Sequence, residues 1–144
     1  MNNQIEKLQN AQKYAMANRP SIGGFPFLAE CMRRAGVNQN VWSLPSAQSI
    51  YVMDEGSVVQ QGTPLISGME NIAPFDKDAL IKEIRTDQKG ESTFPDFLMS
   101  SWKAGVVRYV ADFSKRTVTY YGVNDESYVE EYPAVEIGDI DFTN

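Results

Sequence analysis

The sequence predicts an α+β domain in which one unit, running helix, helix, strand, strand, strand, occurs twice, with a mostly antiparallel sheet packed against helices. Three observations carry that prediction. The stretch "FPFLAECMRRAGVNQNVWSL", Phe25 to Leu44, is echoed by "FPDFLMSSWKAGVVRYVADF", Phe94 to Phe113. In both halves the apolar residues pass from helical spacing to period-two alternation. In both halves a proline stands at the head of the second helical stretch and a glycine at its exit, where their backbone preferences belong.

A shift of 69 positions pairs Phe25 with Phe94, Pro26 with Pro95, Ala35 with Ala104, Gly36 with Gly105, Val37 with Val106, Val41 with Val110 and Tyr51 with Tyr120. Average composition would give roughly two such matches in a window of that size. They fall at a helix start, a helix stop and along the strands that follow. A half of about 70 residues buries only roughly 60% of its unfolded surface and is marginal alone. Three strands also leave two unpaired edges. The reading is therefore one domain over residues 1–144, made of pseudo-repeats at about 1–68 and 69–133 and an acidic C-terminal tail, 134–144. Whether the halves join edge to edge or face to face is left open at this level.

The elements follow in order. Ile5, Leu8, Ala11, Ala15 and Met16 trace one stripe of a helix over Gln4 to Ala17, which "NRPSIGG" ends. Pro26 suits the first turn of a second helix carrying Leu28, Cys31, Met32 and Ala35, and Gly36 can take the terminating left-handed conformation. "VNQNVWSL", "AQSIYVMD" and "SVVQQG" read as three short strands. The stretch from Thr63 to Pro74 mixes Pro, Gly and Asn with apolar residues and reads as the connection between halves. Asp76 is the N-cap of a helix with Leu80, Ile81 and Ile84, which "DQKGES" breaks. Pro95 opens the fourth helix and Gly105 closes it. "VVRYVADF", "RTVTYYG" and "SYVEEY" then form an antiparallel meander, with Val107, Tyr109, Ala111 and Phe113 on one face. The last residues, "IGDIDFTN", are too short and acidic to assign to an element and are left as a tail, its order open at this level.

Hydrophobic residues are 42% of the chain and charged residues 22%, ordinary globular usage. The net charge of −6 is concentrated at the C-terminus, where Asp125, Glu126, Glu130, Glu131, Glu136, Asp139 and Asp141 stand without a Lys or Arg among them. Such a surface repels phosphate backbones and argues against nucleic acid as a partner. No apolar run approaches the ~18 residues of a membrane span, and the start shows no signal pattern. With the single Cys31 unable to form an intrachain disulfide, the expected compartment is the cytoplasm and no membrane partner is expected.

The pattern formed by Phe94, Pro95, Phe97, Leu98, Ala104, Gly105, Val106, Tyr109, Asp112, Tyr120, Tyr121, Gly122 and Glu126 resembles the YdfO-like bacterial proteins, a small family often found in prophages and sometimes labelled "phage envelope protein". The resemblance covers nearly the whole chain and is strongest from Glu91 to Pro133. It implies a compact α+β fold with the helix-helix-strand order above, and it brings no assigned catalytic residues.

Chemistry is sparse. Without histidine the chain has no Ser-His or Cys-His pair, no HExxH site and no side chain whose unperturbed titration lies near neutral pH. No phosphate-binding glycine loop or EF-hand spacing occurs, so no metal and no cofactor is expected. "SSWK" sets Ser100 one turn from Lys103, the spacing of a lysine-activated serine, but the partner motifs are missing. Cys31, beside Arg33 and Arg34, lies mid-helix, where a buried inert thiol is the commoner meaning. Asp112, Glu130 and Glu131 are more often solvating strand charges than an acid/base pair.

The richest constellation is Tyr109, Tyr120, Tyr121, Tyr128 and Tyr132 on neighbouring strands, with Arg108, Lys115 and Arg116 close by. Tyr120 and Tyr121 must point to opposite faces. The candidate binding residues are accordingly Arg108, Tyr109, Arg116, Tyr120, Tyr121 and Tyr128. The function they suggest is a small non-catalytic module that binds or regulates another protein. The alternatives are an enzyme with a carboxylate/tyrosine pocket and a nucleic-acid accessory protein. An exposed apolar patch without a deep pocket marks the first; a concave site of converging carboxylates and tyrosines marks the second.

Overall fold

Leu8, Ala11 and Ala15 recur at helical spacing, and α1 (Asn3–Asn18) buries all three. This computed structural model describes residues 3–142. Gly23, with φ of 73°, turns the chain into α2 (Gly24–Arg34), which places Pro26 in the first turn and buries Ala29, Cys31 and Met32. The strands β1 (Val37–Ser43), β2 (Gln48–Met53) and β3 (Val58–Gln61) follow. After an irregular connection the order repeats: α3 (Lys77–Gln88), α4 (Phe94–Lys103), β4 (Arg108–Asp112), β5 (Thr117–Tyr121) and β6 (Ser127–Glu131). The Asp76 carboxylate accepts from the Ala79 N–H and the Thr93 hydroxyl from the Asp96 N–H, at 3.0 and 3.2 Å, so each helix of the second half has a side-chain cap.

The six strands form one antiparallel sheet in the order β3-β2-β1-β4-β5-β6. The halves therefore meet edge to edge. Each loses one open edge where β1 pairs with β4, and at that seam Val41 stands directly opposite Val110, its own counterpart at the 69-residue shift. The backbone repeats at the same interval. Among the described residues, six of the ten with positive φ fall in pairs 69 apart, Gly36 with Gly105, Ala47 with Arg116 and Gly56 with Asp125, while Gly23, Gly68, Gly90 and Gly138 do not.

Alternation along the strands separates two faces. Tyr51, Met53, Asn40, Tyr109, Ala111, Val118 and Tyr120 are buried, together with Leu80 and Ile84 of α3 and Phe97, Leu98 and Trp102 of α4. Residues at the alternate positions are half-buried or exposed, so the helices cover one side of the sheet only.

Of the C-terminal tail the structure describes residues up to Phe142, and Thr143 and Asn144 lie outside the described residues. Ile137 and Phe142 are buried, Phe142 packs against Tyr14 with ring centroids 5.6 Å apart, and the Arg34 guanidinium donates to the Gly138 carbonyl at 2.5 Å. Two apolar side chains embedded among acidic ones are enough to anchor the segment across the first two helices, a signal that net charge conceals.

Candidate functional site: the open face of the sheet

The uncovered face is organised by register. Val59 pairs with Ile50, Ile50 with Val41, Val41 with Val110, Val110 with Thr119, and Thr119 with Val129. One row of β-branched residues thus crosses all six strands without a charge. At the usual spacing of ~4.8 Å between strands it is about 24 Å long. Val59, Val129 and Ile50 are 60%, 53% and 40% exposed. None of Val41, Ile50, Val52, Val59, Val110 and Val129 belongs to the core or packs against it. Cross-strand contacts among such residues stabilise the sheet, but they leave the outer side of each side chain in water.

Polar rows border this stripe. On one side run Gln61, Gln48, Ser43, Arg108, Tyr121 and Ser127; on the other run Gln39, Asp112, Thr117 and Glu131, with Val52 beside them. The Arg108 guanidinium lies 4.1 Å from the centre of the Tyr121 ring and 3.5 Å from an Asp125 carboxylate oxygen. Of the candidate residues, these two share the open face.

The other candidates lie elsewhere. Tyr109 and Tyr120 belong to the covered side, in a row that runs Trp42, Tyr109, Tyr120, Tyr128 from β1 to β6. Trp42 stacks on Tyr109 and Tyr109 meets Tyr120, with centroids 6.1 and 5.8 Å apart. Burial pushes both tyrosine hydroxyls well above their ordinary value. Only 7% and 6% exposed, they pack the core and present no surface to a partner.

Tyr128 sits at the rim and donates to the Glu130 carboxylate at 2.5 Å. Glu130 also takes bonds from Arg85 and Gln88 of α3. Burial raises the Glu130 carboxyl, but the Arg85 guanidinium and the Tyr128 hydroxyl outweigh it, and the net shift is downward. The bond to Glu130, with burial behind it, pushes Tyr128 up. A carboxylate moved lower and a phenol moved higher both titrate further from neutrality, the reverse of what proton transfer near pH 7 requires. This group ties α3 to the outermost strand.

Arg116 occupies the turn between β4 and β5 and lines a shallow cleft of about 540 Å³ with Arg33, Arg34, Glu30 and Glu136. Glu30 already engages Arg33 and Arg34, at 2.7 and 2.9 Å, and the Arg33 bond holds its carboxyl below the ordinary value. A second hollow, of about 650 Å³, is lined by residues 73–78 and Lys103. Ser114 also lines the first, and Asp76, Lys77 and Asp78 are among the residues of the second. Cys31 is buried, and burial pushes its thiol up to about 11, so the adjacent arginines do not make it a thiolate. Among the described residues no group of three His, Cys, Asp or Glu could hold a metal ion, and no helix is long and apolar enough to cross a membrane.

The row on the open face escaped the sequence reading. Its only trace there is that Val41, Ile50, Val59, Val110 and Val129 alternate with polar or core residues, and alternation cannot say which face a helix will cover.

Fold and surface together define a class: a small α+β sheet protein whose open sheet face carries an uncharged row of β-branched residues between polar rows. The chain belongs to the family described as "Protein of unknown function (DUF1398)", whose model matches residues 13–131, from α1 to the last residue of β6. It is 50% identical over 132 residues to "Uncharacterized protein Rv2012" of Mycobacterium tuberculosis (strain ATCC 25618 / H37Rv), covering 92% of this chain and 80% of that one. "Uncharacterized protein Mb2035" of Mycobacterium bovis (strain ATCC BAA-935 / AF2122/97) is similar to the same extent.

Proposed function

We propose that this chain is a non-catalytic protein-binding module of the cytoplasm, folded as one domain, and that the open face of its sheet is the binding surface. One observation carries the reading: an uncharged row of six β-branched residues spans the whole sheet and lies outside the core. Contiguous apolar surface rimmed by polar groups is the usual mark of a site that another protein covers. The repeated element order and the recurrence of positive φ at one interval support descent from a duplicated unit. The Phe94 to Glu126 pattern supports a kinship with YdfO-like proteins and with it a prophage origin.

The test is affinity capture from the native host with the wild-type chain and with Ile50→Lys, followed by mass spectrometry. A protein retained by the wild type and lost with Ile50→Lys supports the reading. Capture of a metabolite and no macromolecule overturns it in favour of an enzyme.

A further inference from the structure

We propose that the occupant of the open face is a second copy of this chain, two sheets stacking face to face as an isologous dimer; this rests on the docking reading above. The free edges are poor alternatives. β3 is four residues long, and β6 carries Glu130 and Glu131, so neither invites strand addition.

Three features of the face favour a copy of itself. The row is symmetric about the Val41–Val110 pair: Ile50 and Thr119 lie one strand out on either side, Val59 and Val129 two. A two-fold contact demands a self-complementary patch, and a patch with its own two-fold offers the same surface in both orientations. Second, the row is built of short β-branched side chains, which suits stacking of twisted sheets at about 10 Å.

The third feature is charge. Arg108 and Asp112 stand on β4 two residues to either side of Val110, in opposite polar rows. Rotating a second copy by 180° about the row axis lays the apolar row on its twin, sets each polar row over the opposite one, and brings Arg108 of each copy over Asp112 of the other. The two contacts form together, and no like charges oppose each other on that strand.

Size sets the strength. A face about 24 Å by 17 Å corresponds to on the order of 1,000 Å² buried in total, the lower end for specific association. The dimer is therefore weak and reversible.

Sedimentation equilibrium from low micromolar to about 500 μM is the test, with circular dichroism as the folding control. The wild type is expected to dimerise with a dissociation constant of roughly 10–100 μM. Ile50→Lys and Val110→Lys, each of which buries an unpaired ammonium, should weaken it at least about tenfold. Arg108→Glu should weaken it less, and Arg108→Asp with Asp112→Arg should restore it. A wild type that stays monomeric throughout overturns the proposal, as does a dimer indifferent to both lysine variants. If the chain is monomeric while Ile50→Lys still abolishes capture of another protein, the second copy is wrong and the docking face stands; a dimer lost in neither variant, with capture unchanged, sinks both.

Discussion

Gly36 and Gly105 close equivalent helices with φ of 93° and 89°, yet their surroundings differ. A Cβ on Gly36 would meet nothing within 4 Å; on Gly105 it would lie 2.4 Å from the Pro74 carbonyl oxygen and 2.6 Å from the Phe75 Cα. The connection between halves is laid over the exit of α4, where the Asp76 N–H also donates to the Ala104 carbonyl at 2.8 Å. The N-terminal half keeps the same junction open. The same kind of helix exit thus occurs in both halves, and only in the C-terminal half is a third piece of chain packed onto it.

The largest effect that tests this difference comes from alanine at the two glycines. Gly105→Ala combines an unfavourable φ with a clash against backbone and should lose about 3 kcal/mol or more. Gly36→Ala meets only the conformational cost, about 1 kcal/mol. Urea denaturation of both variants measures the gap, and equal losses would show that the connection does not enclose the second junction.

A smaller effect distinguishes how each half ties its first helix to its third strand. In the N-terminal half Gln12 donates to Gln60 at 3.1 Å; in the C-terminal half Arg85 donates to Glu130. The Glu130 carboxyl is lower in the folded chain than its ordinary 4.5, so its contribution is present above that value and is lost as pH falls through the lowered one. Amide protection in β6 should therefore fall as pH drops below about 4.5, ahead of β3. Glu130→Gln should remove that difference. Hydrogen exchange followed by NMR reads both strands at once.

The smallest effect concerns Ala47 and Arg116, both at φ of 54°. Arg116 is exposed, so Arg116→Gly should relieve strain and gain about 0.5 kcal/mol. Ala47 is 3% exposed, and Ala47→Gly should gain nothing, because the methyl it removes is packed. A thermal melt of each variant sorts the two signs.

Much of the backbone course was legible because its causes are local. The Asp76 cap, Pro26 and Pro95 in first turns, the exits at Gly36 and Gly105, and the three runs of each strand set all involve residues a few positions apart. The opposed directions of Tyr120 and Tyr121 followed from alternation alone. The candidate site was legible only in part. Arg108 and Tyr121 do share an accessible face, but Tyr109 and Tyr120, read as equals of Tyr121, lie beneath the helices. The packing of the tail was not legible because its acidic residues outnumber the two apolar ones, Ile137 and Phe142, that are buried.

The sequence by itself determined where helices and strands begin and end, that the same order occurs in both halves, and that each strand alternates between two kinds of side chain. The tertiary structure alone decided that β1 pairs with β4, that all four helices settle on one side, and that six residues from six strands line up on the other. The reason is range. Caps, turns and alternation are fixed by neighbours in the chain, whereas a row across a sheet pairs residues as distant as Val41 and Val110, whose register exists only after the strands have paired.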